Sequence, residues 1–145
     1  MYKVLSKLHA AYQCLGLLDQ VAYDPGGGCV WGGDDGEQEN LEVNDDSYVD
    51  DNLLLGSERD AWRAVRHLKA RAETAVNVFA AHSMRLNWKE GKSEALLGLV
   101  GHGARQVRSW LWIDRSGILD CHAAQPCSER GVSFKLRVVE VSSTT

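Results

Sequence analysis

The first sixteen residues carry the pattern of an amphipathic helix. Apolar side chains recur at spacings of three and four at Val4, Leu5, Leu8, Ala11, Tyr12 and Leu15. That spacing places them on one helical face. Gly16 follows, and glycine commonly ends a helix. We therefore predict an N-terminal helix that stops near Gly16.

A longer and more regular pattern begins after Gly56. It predicts one amphipathic helix over residues 57–82, on the apolar positions Trp62, Val65, Leu68, Ala72, Val76 and Phe79. Ser57-Glu58-Arg59-Asp60 has the composition of a capping box and places acids in the first turn. We assign four of the large apolar residues to the core rather than to a base-stacking surface: Trp62, Val65, Val76 and Phe79.

Shorter apolar stretches, separated by turns rich in Gly and Asp, predict strands. They are residues 29–31, 41–43, 84–87, 110–113, 117–121 and 132–141, with a further short apolar element at 93–100. Asn87 is expected to cap the turn that follows it. Two helices combined with short strands predict an α+β fold. A length of 145 residues fits a single domain.

Two adjacent carboxylates, Asp50 and Asp51, stand between two of these apolar stretches. Residues 44–48 and 53–55 predict a β-hairpin with an acidic turn. Side chains alternate between faces along a strand, but a tight turn breaks the alternation and lets Asp50 project at the tip. A carboxylate there is a hard oxygen ligand for Mg²⁺, the ion that phosphoryl transfer uses. Asp is also common in turns for local hydrogen-bonding reasons, so a purely structural acidic turn stays open.

Charge is distributed unevenly along the chain. Residues 24–60 contain twelve acids and one base, whereas residues 61–115 contain ten Lys and Arg and four acids. This suits a cation site beside a phosphate-binding surface, but it also suits an acidic loop beside a helix with a basic outer face. The net charge of −4 argues against a free-standing nucleic-acid binder driven by bulk charge.

The four cysteines form no CxxC pair. Cys121, His122 and Cys127 are three potential zinc ligands, but their spacing matches no standard zinc module. A disulfide framework is not expected. We find no signal peptide and no run of about eighteen apolar residues, so we expect an intracellular protein without a membrane span.

The residues around the paired carboxylates resemble a known family. Ser47-Tyr48-Val49-Asp50-Asp51-Asn52-Leu53-Leu54-Leu55 resembles the Y-x-D-D hairpin of reverse transcriptases. Met84-Arg85-Leu86-Asn87 and Lys92-Ser93-Glu94-Ala95-Leu96 resemble the G-L-x-x-N…K-T-E stretch of LINE-like retroelements, which lack long terminal repeats. The N-terminal helix is similar to the one after that family's Q-G-D-P segment, and residues 132–145 are similar to the strand approaching the primer grip. Residues 98–130 match only loosely.

The resemblance implies an RNA-directed DNA polymerase palm. Asp50 would ligate Mg²⁺ or Mn²⁺ with Asp51 as its less essential neighbour, and Lys92 would protonate the leaving pyrophosphate. Tyr48 would steady the tip beside nucleic acid. The partners implied are an RNA template, a DNA primer and deoxynucleoside triphosphates. The basic side of the long helix would contact nucleic acid through Arg63, Arg66, Lys69 and Arg71.

The chain departs from the family pattern in one respect. A two-metal site needs a further carboxylate from a facing strand, and Asp45 and Asp46 share the strand of Tyr48. We therefore expect residues 1–145 to form a partial palm that lacks the fingers, the first aspartate strand and the thumb, and that is inactive alone. DNA upstream of Met1 is expected to encode that aspartate strand and a Gln-Gly segment.

Two other functions are compatible with these residues. A non-catalytic α+β remnant could bind RNA or protein through its basic helix. A divalent-cation-binding domain could use the acids Asp34, Asp35, Asp45, Asp46, Asp50 and Asp51, although the spacing of an EF-hand is absent.

Overall fold

The computed structural model describes residues 2–23, 39–43, 45–48, 51–54, 56–124 and 131–141, with side chains for 3–18, 56–124 and 131–141. The helices are α1 (Tyr2–Leu15), α2 (Ala61–Ala81) and α3 (Ala104–Arg108), and a π-helical segment, Ser109–Asp114, follows α3. The strands are β1 (Asp19–Tyr23), β2 (Glu39–Val43), β3 (Asp45–Tyr48), β4 (Asp51–Leu54), β5 (Glu94–Leu97), β6 (Ile118–Ala123) and β7 (Val132–Glu140). The predicted α+β class is confirmed.

Helix α1 matches its predicted bounds. Val4, Leu8 and Tyr12 are buried along one face, as the spacing requires. Gly16 has φ +63°, in the left-handed region that glycine adopts without a steric cost. The N–H of Leu17 then donates to the carbonyl of Tyr12 at 2.9 Å, which closes the helix end.

Two antiparallel strand pairs follow α1. β1 pairs with β2 from Asp19 opposite Val43 to Tyr23 opposite Glu39. β2 confirms the strand predicted at residues 41–43, whereas β1 was not predicted. β3 pairs with β4 in a separate sheet. The predicted strand at residues 29–31 lies outside the described residues.

Helix α2 begins at Ala61, so the predicted start at Ser57 is wrong. Asp60 is the N-cap residue, with extended backbone, and its carboxylate accepts a hydrogen bond from the N–H of Arg63 at 2.9 Å. This bond, and then the contact with His102, lower the pKa of Asp60. A carboxylate is a strong N-cap acceptor, so Asp60 takes the position that the capping-box interpretation gave to Ser57. The helix ends at Ala81 with His82 as its C-cap residue, within one residue of the predicted end.

Residues 84–87 alternate between partly buried and exposed but do not form the predicted strand. Met84 and Leu86 pack against the cluster between α1 and α2 instead of joining a sheet. The alternation therefore reflects an extended segment lying on helices. Asn87 does cap the next turn, since its side-chain oxygen accepts from the N–H of Lys89 at 3.2 Å.

The strand predicted at residues 110–113 is also wrong. Those residues belong to the π-helical segment that continues α3. Leu111 points into the core, while Ile113 is exposed. The indole N–H of Trp112 donates to the carbonyl of Val138 at 3.3 Å and ties the segment to β7.

The last three strands build a three-stranded mixed sheet in the order β5–β7–β6. β5 is parallel to the central strand β7, and β6 is antiparallel to it. The strands predicted at residues 117–121 and 132–141 are thereby confirmed. One sheet face is apolar and packs on the helices, with Ala95, Leu97, Leu119, Cys121, Leu136 and Val138 buried.

Helix α2 is shared between two apolar clusters. Its first half contributes Ala61, Val65 and Ala72 to the cluster formed with the sheet and α3. Its second half contributes Ala75 and Phe79 to the cluster formed with α1. Within the described residues, none of the helices combines the length and apolarity needed to cross a bilayer.

Arg71 joins these parts of the chain. Its side chain is only 7% exposed. Nε donates to the carbonyl of Leu17 at 3.0 Å, and the hydroxyl of Tyr12 donates to the Arg71 carbonyl at 2.9 Å. Gly56, two residues after β4, lies directly against the guanidinium, since a Cβ there would be 1.2 Å from Nη1. One side chain therefore contacts the end of α1 and the exit of the β3–β4 pair.

Replacing Arg71 with Ala should lower the free energy of unfolding by about 2–3 kcal/mol, because it leaves the buried Leu17 carbonyl without its donor. Tyr12→Phe removes one neutral hydrogen bond and should cost about 1 kcal/mol. Urea denaturation followed by circular dichroism measures both. Arg66→Ala, on the exposed side of α2, is the matched control and should change stability by less than about 0.5 kcal/mol. Equal losses for the two arginine variants would contradict the structural role of Arg71.

Candidate functional site

β3 and β4 pair antiparallel, as the hairpin prediction requires, but Asp51 is the first residue of β4 rather than part of the predicted turn. In the register of β3 and β4, Asp45 lies opposite Leu54 and Tyr48 lies opposite Asp51. Only Val49 and Asp50 separate the last paired positions, and these two residues lie outside the described part of the chain. A connection of this length is the shortest common in β-hairpins. Tyr48 and Asp51 are thus brought together at the same end of the ladder.

The chemistry available at this end of the ladder is that of oxygen ligands. Asp51 is the first residue of β4, and Asp50 directly precedes it. Two adjacent carboxylates suit Mg²⁺, which in phosphate-transferring sites is held by one or two carboxylates together with substrate oxygens. Among the residues that the structure describes, no group of three or more His, Cys, Asp or Glu side chains could hold a metal ion.

Lys92 lies in the turn that leads into β5. It is exposed, and its backbone N–H donates to the carbonyl of Lys89 at 3.0 Å. The N–H of Gly91 donates to the carboxylate of Glu94 at 3.0 Å, and Gly91 has φ +73°. Arg137 of β7 forms ion pairs with Glu90 and Glu94 on either side of the turn. The backbone of the turn at Lys92 is therefore fixed beside the sheet, while the Lys92 residue itself is exposed to solvent.

The predicted basic face of α2 is only partly a free cationic surface. Arg63 is exposed but lies 3.1 Å from Glu58, and Lys69 is 3.7 Å from Glu73. Arg66 is exposed and has no acidic partner among the described residues. Arg71 does not belong to this face, because its guanidinium is buried against Leu17. Of the four arginine and lysine residues assigned to nucleic acid, Arg66 is the least engaged by neighbours.

The core assignment for α2 holds at Val65 and Phe79, which are both 5% exposed, whereas Val76 is half-buried. It is wrong at Trp62, which is 37% exposed. Ala61 and Val65 occupy the inward positions at the start of the helix, so Trp62 is left at the surface. Its ring lies instead against Trp110 of the π-helical segment.

Comparisons with protein-family models, with curated proteins and with solved structures found no match to this chain.

The three residues considered as zinc ligands are not brought together. Cys121 is 1% exposed and faces the core, whereas its neighbour His122 lies on the opposite face of β6 and hydrogen-bonds Ser133 at 2.9 Å. Cys127 lies outside the described residues. Burial, and then the nearby Glu73 carboxylate, raise the pKa of the Cys121 thiol to about 11. Cys121 therefore behaves as a small apolar side chain of the sheet core.

Cys121 should be almost inert to thiol reagents in the folded protein. With a pKa of about 11, only about one thiol in a thousand is ionised near pH 8, and the thiolate is the reactive form. A variant that retains only Cys121 should react with Ellman's reagent at least about a hundredfold more slowly than one that retains only the exposed Cys14. Urea should remove the difference. Similar rates in the folded state would show that Cys121 is accessible.

Proposed function

We propose that this chain is part of the palm of an RNA-directed DNA polymerase of the LINE-like type. The observation that carries the proposal is the antiparallel pairing of Asp45–Tyr48 with Asp51–Leu54 about Val49 and Asp50. A Tyr-x-Asp-Asp sequence alone is weak evidence, because Asp is common in turns. It gains weight when the flanking residues pair as a hairpin and a long helix follows, as α2 does here.

In this proposal each residue has a defined task. Asp50 holds a divalent cation, Asp51 supports it, and the bound Mg²⁺ would bind triphosphate oxygens and stabilise the charge that develops during transfer. Lys92 holds a proton for the departing pyrophosphate. Tyr48, opposite Asp51 in the ladder, steadies the tip beside the primer and template. The family that the sequence resembles completes this site with a carboxylate from a facing strand, whereas Asp45 and Asp46 lie on β3 with Tyr48, so residues 1–145 alone should be inactive.

The alternative of a binding module on the basic face of α2 has less support. Arg63 and Lys69 face acids on their own surface, and Arg71 is buried. Exposed ion pairs are weak, but they reduce the net positive charge that phosphates meet. The hairpin is therefore the better-supported site.

The function is best tested in a chimera. Residues 45–141 should replace the corresponding segment of an active LINE-type reverse transcriptase, and primer extension on an RNA template should be measured with Mg²⁺. We expect extension that falls at least about a hundredfold in Asp50→Ala, because charge stabilisation at the transferred phosphoryl group is lost. The control Asp114→Ala removes an exposed carboxylate elsewhere and should retain activity. The unmodified chain alone should give no extension.

Primer–template binding by the chimera distinguishes misfolding from a wrong assignment. A chimera that binds primer–template normally but does not extend the primer would contradict the proposal. Extension that is unaffected by Asp50→Ala would contradict the role of Asp50. Extension by the unmodified chain that Asp50→Ala abolishes would show that no further carboxylate is needed.

A further inference from the structure

A partly exposed aromatic surface is formed by residues outside the carboxylate hairpin. We name it the tryptophan platform, and it consists of Trp62, Trp110 and Arg115. The indole rings of Trp62 and Trp110 have centroids 5.2 Å apart and are tilted by 58°. Cζ of Arg115 lies 4.6 Å from the centroid of the Trp110 ring. The three side chains come from α2, the π-helical segment and the turn after it, so only the folded chain assembles them.

The platform is exposed because its neighbours occupy the inward positions. Ala61 and Val65 turn the start of α2 towards the core, and Leu111 does the same for the π-helical segment. Trp110 is half-buried and Trp62 is 37% exposed. π-Helical turns are rare and occur frequently at functional sites. Trp110 packs partly against the core cluster, so Trp62 is the more exposed of the two indoles.

Cations border the platform. Arg66 lies one turn along α2 from Trp62, on the same side of the helix, and has no acidic partner among the described residues. Arg115 stacks on Trp110 and lies 3.6 Å from the exposed Asp120. Such a solvated pair is weak and can be exchanged for a phosphate. Two nearby acids are engaged: Glu58 faces Arg63 and His67, and Asp60 caps α2 and contacts His102. A third acid, Asp114, precedes Arg115 in the chain and is exposed.

We propose that the tryptophan platform binds single-stranded nucleic acid by base stacking. Indole rings stack on any base, and arginines beside them pair with the phosphates between bases. A duplex keeps its bases stacked internally and offers no free base face to the rings. The interaction is therefore specific for single strands and tolerant of sequence. Binding at the platform uses none of the hairpin residues, so its test is independent of the polymerase proposal.

Fluorescence anisotropy of the full chain with labelled oligouridylate, oligodeoxythymidylate and a duplex of equal length tests the platform at low salt. The single strands should bind, with RNA and DNA distinguished by their relative affinities, and the duplex should bind about tenfold more weakly. Trp62→Ala should weaken single-strand binding about tenfold, and Trp62→Phe should restore most of it. Trp88 stacks on Phe134 at a centroid distance of 4.6 Å, so Trp88→Leu is a matched control that should leave affinity unchanged.

A second measurement needs no variant. Oligouridylate carrying 5-iodouridine should photo-cross-link to Trp62 or Trp110 of the unmodified chain, identified by mass spectrometry of the peptides. Three outcomes would overturn the proposal: cross-links confined to other residues, duplex binding as tight as single-strand binding, and no single-strand binding. Equal affinities of Trp62→Ala and Trp88→Leu would overturn it as well.

Discussion

The burial of Arg71 is the constraint on which the described fold depends. A guanidinium cannot be deprotonated at ordinary pH, so its removal from water has to be matched by acceptors in fixed positions. The Leu17 carbonyl is such an acceptor, and it is in place only when α1 has ended and the chain has turned at Gly16. The same guanidinium requires a residue without a side chain at Gly56. Satisfying one cation therefore fixes the docking of α1 on α2 and the path of the chain between β4 and α2.

The spacing of apolar residues was sufficient to identify a helix or strand where that element is periodic along its own sequence. The apolar spacing in α1 and α2 and the alternation in β7 identified these elements, because each buries one face along its whole length. It failed for short apolar runs, where the partner decides the conformation. Met84 and Leu86 alternate as in a strand but rest on two helices. The run from Trp110 to Ile113 has strong strand propensity, yet it continues a helix because Leu111 fills the core beneath the sheet.

The same distinction applies to the candidate functional residues, some of which were identifiable from local sequence and some of which were not. Asp50 and Asp51 could be singled out as candidates from sequence because they are contiguous and the flanking segments were predicted to pair as strands, which they do. The burial of Arg71 and the exposure of Trp62 could not be recognised, although both residues lie on a helix whose periodicity was plain. The environment of Arg71 is set by Leu17, which is 54 residues away in the chain. The environment of Trp62 is set by Trp110, which lies in the π-helical segment. Long-range partners therefore determined which cation was structural and which aromatic was presented to solvent.

The position of β7 has a consequence for biosynthesis. It is the middle strand of the sheet, yet the ribosome delivers it after both of its neighbours. β5 and β6 have no ladder to each other, so their backbone N–H and C=O groups and apolar faces stay open until residues 132–140 emerge. Nascent chains that stall before this point expose two unsatisfied strand edges, the kind of surface that chaperones hold and that otherwise aggregates. The sheet therefore cannot be completed before β7 is synthesised, whereas all residues of α1 and α2 are available to contact each other earlier in translation.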